Sequence, residues 1–207
     1  MRKFDPVKHE EKRTEILAAA GRCFAMKGFQ GATIAQICAE AGISPGHLYH
    51  YFANKEAIVG AITGAGLDYA RSRFSDIADG SDPIASIVEE IDRLNAHNRK
   101  GAPGVLLEIL AEAARNPAVG RTLQEQSQGM RELLAEFLRR GQARGMIDPD
   151  LDVDSTAAVL ISLIDARKAL SIRAPELDTD KSSKVLETMI TRFLSPPTDT
   201  PSRHTLS

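Results

Sequence analysis

Between positions 47 and 51 the chain places two histidines and two tyrosines, His47, Tyr49, His50 and Tyr51, around a single leucine, Leu48. Exposed helix positions ordinarily hold Lys, Glu or Gln, so polar aromatics at this density call for a partner. Tyrosine hydroxyls and histidine N–H groups donate to phosphate oxygens and to base edges. Just ahead, Ser44 and Pro45 suit the cap and first turn of a helix. Gly46 lets backbone come close to a phosphate. This is the chemistry of recognition. His47 and His50 could form a metal pair, but no third ligand lies near them in sequence. The sequence holds no Gly-x-Ser-x-Gly, P-loop, His-Glu-x-x-His or dinucleotide glycine loop, and His97 and His204 stand isolated. Neither an enzyme nor a bound cofactor or metal is expected.

Such a face must be held by its surroundings. Thr33 with Gln36 three residues on is a capping-box pattern, and it opens a short helix to Ala41. Gly42 suits a left-handed turn and Ile43 plugs it. Ile37 and Ala41 point inward, Cys38 is small enough for a helix contact, and Leu48 and Phe52 anchor the second short helix, which is expected to end near Tyr51. Upstream, Ile16, Leu17, Ala20 and Phe24 give one apolar stripe on a helix from about Lys8 to Lys27, closed by Gly28. Downstream, Asn54 caps a long helix to about Ala78, in which Gly60, Gly64 and Gly66 imply a bend or close packing against a neighbour. Further helices are expected over 83–100, 104–115, 118–144, 154–172 and 180–194. No alternating Val/Thr/Tyr run suggests a strand. The expected fold class is all-α with about nine helices: a helix-turn-helix unit over 1–53, a helical body over 54–194, and a polar tail over 195–207 that is expected to be disordered.

The run Thr33 to Glu56 resembles the DNA-binding signature of TetR-family transcriptional regulators. The resemblance rests on Gly42-Ile43-Ser44, on Leu48-Tyr49-His50-Tyr51-Phe52 and on Asn54-Lys55-Glu56 occurring in order, with Ile16-Leu17 to Phe24 and Gly28-Phe29 upstream. It covers about residues 10–60. Cys38 stands where alanine is usual. The stretch beginning at Met130 resembles the regulatory domain of the BetI/AcrR-like branch. The resemblance implies that Thr33, Tyr49, Tyr51 and Lys55 contact phosphates. It also implies that Ser44, Pro45, Gly46, His47 and His50 face the major groove. It implies a homodimer on a palindromic double-stranded DNA operator, acting as a repressor that a small-molecule effector releases. An activator, or a co-regulator answering a protein partner, is the alternative. No Lys or Arg lies between Ala32 and Asn54. Affinity is therefore expected to lean on neutral donors, on Lys55 and on a basic arm of Arg2, Lys3, Lys8, Lys12 and Arg13, with a shallow salt dependence.

The net charge of −2 divides in the same sense, since residues 1–60 carry eight Lys/Arg against six Asp/Glu. Hydrophobic residues make up 43% of the chain, enough for a real core, while no apolar run approaches a bilayer span and no apolar leader is present. Two cysteines, Cys23 and Cys38, exclude a disulfide framework and read as core residues. Cytoplasmic location is the expectation. Asp148, Asp150, Asp152 and Asp154 alternate like a calcium loop, but Val153 and Val159 occupy the glycine and glutamate positions, so Asp154 is read as a helix cap. The effector is expected near Leu106, Leu110, Met130, Leu134 and Phe137. The two-fold interface is expected at Ile161, Ile164, Val185, Met189 and Phe193 on the last two helices. Asn95, His97 and Asn98 could line the effector site or form an exposed helix end. Asp165, Arg167 and Lys168 could be an interface ion pair or an anchor for the effector.

Overall fold

All but one of the helix starts among the described residues are set by a side chain that accepts orphan backbone N–H groups. In the computed structural model, residues 5–77, 80–100 and 104–197 are described, with side chains except at 94–100, 168, 171 and 179. Asp5 accepts from the N–H groups of Val7 and Lys8, and Pro6 takes the first position of α1 (Pro6–Gly31). That start is earlier than the expected Lys8. At Gly28 the backbone leaves the helix with φ +70°, open to glycine at no steric cost, before a last turn to Gly31. Thr33 and Gln36 close both bonds of the capping box at the head of α2 (Ile34–Ala41). Gly42 is left-handed at φ 63°, ψ 37°, and Ile43 N–H donates to Cys38 O at 3.0 Å. Ser44 caps α3 (Pro45–Tyr49), which ends two residues before the expected Tyr51. Asn54 Oδ1 accepts from Ala57 N–H at 2.8 Å and starts α4 (Lys55–Ile77).

The body continues with α5 (Pro83–Lys100), α6 (Val105–Ala113), α7 (Pro117–Ala143), α8 (Val153–Arg173) and α9 (Thr179–Leu194). The described residues form nine helices and no strand. Asp152, not Asp154, caps α8, accepting from Ser155 N–H at 2.8 Å. Asp154 instead pairs with Arg139 at 2.7 Å. A cap must sit just outside the helix with extended backbone, and Asp152 is the residue that does.

Two buried clusters hold the chain together. The first joins Ile16, Ala20 and Phe24 of α1, Ile37 of α2, Leu48 of α3, Phe52, and Ile58 and Val59 of α4. It also takes in Ile109 of α6 and Val119 of α7, so the helix-turn-helix shares its core with the body. The second joins Ile84, Ile87 and Ile91 of α5 to Leu134, Phe137 and Leu138 of α7, to Ala157 and Leu160 of α8, and to Leu186, Ile190 and Leu194 of α9. Cys23 and Cys38 are buried in the first cluster, and burial pushes both thiols up, against reactivity.

Of the α4 glycines, Gly60 packs closely on a neighbour, Gly64 makes only ordinary contact with Gln126, and Gly66 has nothing within 4 Å of a built Cβ. A Cβ at Gly60 would lie 3.2 Å from Thr122 Cγ2 of α7, and one at Gly129 of α7 would lie 2.8 Å from Leu67 Cδ2 of α4. Gly141 is tighter: a Cβ there falls 2.5 Å from Ile147 Cδ1 and 2.8 Å from its Cγ1. Ile147 is fully buried, so Gly141→Ala is expected to destabilise the protein by about 1–3 kcal/mol in urea denaturation. An unchanged urea midpoint would mean that Ile147 has room to move.

Candidate nucleic-acid interface

α3 is five residues long and buries one of them, Leu48. Everything else on it points outward. Ser44, Pro45, Gly46, His47, Tyr49 and His50 are exposed, as is Thr33 at the head of α2. Ser44 Oγ accepts from His47 N–H at 3.2 Å, and Thr33 Oγ1 accepts from Gln36 N–H at 3.2 Å. Both hydroxyls keep their own hydrogen to donate outward. Nothing in the chain comes within 4 Å of a Cβ built at Gly46, so packing does not demand glycine there. The exposed face is small at its leading edge and aromatic behind.

Two expected contacts have further roles. Tyr51 is half-buried, with the His9 ring stacked on it at 4.5 Å and 25° and the His47 ring tilted at 5.6 Å. Lys55 Nζ donates to Phe29 O at 2.7 Å and to Ala32 O at 3.0 Å, and lies 4.5 Å from the Phe29 ring centroid. Two of its three N–H donors thus tie the end of α1 to the head of α4, leaving one for a phosphate. Sequence reasoning missed both arrangements. His9 lies 42 residues from Tyr51, and no local spacing signals that stack. An ammonium four residues into the Phe52–Glu56 stretch carries no mark of which carbonyls it will reach.

Three of the five basic-arm residues are described. Lys8, Lys12 and Arg13 lie on α1, within the helix expected from about Lys8, which Asp5 and Pro6 start two residues earlier. Each meets an acid three residues away: Lys8 pairs with Asp5 at 3.9 Å, Lys12 with Glu15, and Arg13 with Glu10 at 3.1 Å. Arg13 also lies over the Phe52 ring at 5.8 Å. Arg2 and Lys3 lie outside the described residues. Arg22 of α1 pairs with Glu40 of α2 at 2.7 Å, bracing the two helices.

The expected effector residues divide. Leu134 and Phe137 are buried in the second cluster, Leu106 and Met130 are half-buried, and Leu110 is 44% exposed. An open groove of about 620 Å³ runs between α4 and α7 over Phe74, Gly129, Leu133 and Phe137, with Arg71, Glu132 and Arg140 along it. Phe137 is the one of the five that lines it. Of the interface candidates, Val185, Met189 and Phe193 are exposed on one face of α9, while Ile161 and Ile164 are partly buried against the second cluster. Arg167 Nη2 donates to Ser183 Oγ at 2.6 Å, tying α8 to α9. The side chains of Asn95, His97, Asn98 and Lys168 lie outside the described residues, as does His204. Among the described residues, no group of three or more His, Cys, Asp or Glu is placed to hold a metal. No described helix is long and apolar enough to cross a membrane.

A short, capped helix presented across a glycine turn, its outer face left to polar aromatics, defines a helix-turn-helix DNA-binding protein. Residues 16–62 match the family model of bacterial regulatory proteins of the tetR family, and residues 84–195 match that of the C-terminal domain of BetI-type transcriptional repressors. The Escherichia coli K12 regulator UidR is 36% identical over 151 residues, covering 73% of this chain and 76% of UidR. The transcriptional repressor KstR2 of Mycobacterium tuberculosis H37Rv is 30% identical over 148 residues, covering 69% of this chain and 72% of KstR2. The structure of Salmonella enterica GusR superposes with a TM-score of 0.74 at 30% identity, covering 89% of this chain and 95% of that one. The chain belongs to the TetR family of helix-turn-helix transcriptional regulators and is not an enzyme.

Proposed function

We propose that the protein is a homodimeric repressor, working in the cytoplasm, that reads a palindromic operator and is released by a small-molecule effector. The observation that carries the reading is the face of α3: six polar or small residues from Ser44 to His50 stand exposed around one buried leucine. Ser44, Pro45, Gly46, His47 and His50 would enter the major groove, with Thr33, Tyr49, Tyr51 and the third N–H of Lys55 on phosphates. One such helix reads few base pairs. Two, held about 34–36 Å apart by a dimer, read a palindrome. The exposed apolar stripe of α9 supports that dimer. The matches to KstR2 and to BetI-type repressors support repression.

Effector release needs a path from the body to α3, and α6 offers one. Gln30 Nε2 at the end of α1 donates to Glu112 Oε1 of α6 at 2.7 Å, and Glu112 is buried. An effector among Leu106, Leu110, Met130, Leu134 and Phe137 that displaced α6 would move α1 with it. It would shift the equilibrium only by its differential affinity for the two states.

The test is selection of bound sequences from a random duplex pool. A palindrome should be enriched, and the enriched duplex then serves for titration against salt. With Lys8, Lys12 and Arg13 paired on their own helix and Lys55 mostly occupied, the slope of log K against log salt should be shallow. A slope implying roughly ten released ions per half-site would sink the neutral-donor reading. Folded protein that enriches no motif, with or without cell extract added, would sink the operator.

A further inference from the structure

We propose that His9 is a positioning residue for DNA reading, holding the recognition helix through its stack on Tyr51, so that the first turns of α1 belong to the reading device. The inference rests on the reading that α3 enters the major groove. At five residues, α3 is too short to hold its own direction. Leu48 fixes it from beneath and Phe52, just past its end, is buried in the same cluster, but neither holds the half-buried Tyr51 between them. His9 stacks on the Tyr51 ring at 4.5 Å and 25°, and the ring in turn meets His47 of the reading face, tilted, at 5.6 Å. The brace continues one turn along α1. Arg13, four residues after His9 and so on the same face, lies over Phe52, the residue after Tyr51. Arg13 is in turn paired with Glu10 at 3.1 Å. Two adjacent aromatic residues at the exit of α3 therefore rest on two residues of α1 one turn apart. A ring removed at position 9 would let Tyr51 and His47 shift together, and a small misplacement is costly where hydrogen bonds must meet base edges.

The experiment uses the full chain and the duplex enriched from the random pool, with affinity read by fluorescence anisotropy and Tm measured alongside. His9→Ala should bind roughly tenfold more weakly, with its Tm within a degree or two, since an aromatic pair is lost in each protomer. His9→Phe, which keeps a ring but no N–H, should restore binding to within about twofold. In a Tyr51→Leu background, His9→Ala should have no further effect. Wild-type binding by His9→Ala, a His9→Phe chain as weak as His9→Ala, or additive losses in the Tyr51→Leu background would each overturn the proposal. Tyr49→Phe combined with His50→Ala, outside the stack, is the control. If the control binds weakly while His9→Ala does not, the brace alone fails. If the control also binds like wild type, the reading of α3 fails and the brace with it.

Discussion

A chain carrying Met189→Glu and Phe193→Glu is expected to sediment as a monomer and to bind the enriched palindrome about a hundredfold or more weakly. Val185, Met189 and Phe193 are 60%, 54% and 49% exposed, and they recur every four residues along one face of α9. Val159, Leu163 and Leu170 of α8 are exposed as well. Large apolar side chains exposed at this density suit the proposed dimer interface. A two-fold axis would lay the same face of a second copy against them. Two carboxylates introduced there would be buried without a partner, which costs several kcal/mol by desolvation alone. With the dimer gone, the second half-site no longer binds as an intramolecular event, and the gain of roughly 10²–10⁴ from linkage is lost. Ile161 and Ile164 are poorer probes, because they pack against the chain's own second cluster and their loss would perturb the fold. Sedimentation and anisotropy on one preparation separate the outcomes. A dimer that persists with both charges in place would move the interface off α9.

What was legible in the sequence was local. The Thr33–Gln36 box, the Ser44 and Asn54 caps and the left-handed Gly42 are each specified by residues within three or four positions, and each formed as expected. Even here a choice between near-equivalents could go astray. Asp152 and Asp154 are the same residue type two apart, and only backbone conformation decides which one caps α8. Asp5 with Pro6 is as good a helix start as Ser44 with Pro45, yet the helix was expected to begin only at about Lys8. What lay beyond reach was the joining of distant segments. Lys55 to the carbonyls of Phe29 and Ala32 spans 26 and 23 residues, His9 to Tyr51 spans 42, and Gln30 to Glu112 spans 82. Each pair is unremarkable by type, and periodicity along the chain carries no information about them. The glycines of α4 fall between: a bend or close packing was expected of all three, and only Gly60, against Thr122, is tightly packed.

Leu48→Ala is expected to lower the Tm by roughly 6–20 °C in a single transition and to abolish binding to the palindrome near the new midpoint. Leu48 is fully buried and is the only residue of α3 that is. Truncating a buried leucine costs about 3–5 kcal/mol, the loss of transfer energy plus the cavity left behind. The cavity cannot collapse easily, because Leu48 shares its cluster with Phe24 of α1, Ile37 of α2 and Phe52 of the link into α4, each held from a different segment. The number of transitions is as informative as the shift. A helix-turn-helix unit ending at residue 53 with a core of its own would melt ahead of the body once weakened, giving two steps. Ile58 and Val59 of α4, Ile109 of α6 and Val119 of α7 argue for one step, since they complete the same cluster from beyond that boundary. An α1 tied to α4 by Lys55 and to α6 by Gln30 argues the same way. Shared core is also what a released repressor requires. A reading head that melted independently of its body could not be moved by an effector bound there, whereas a head built on α6 must follow it.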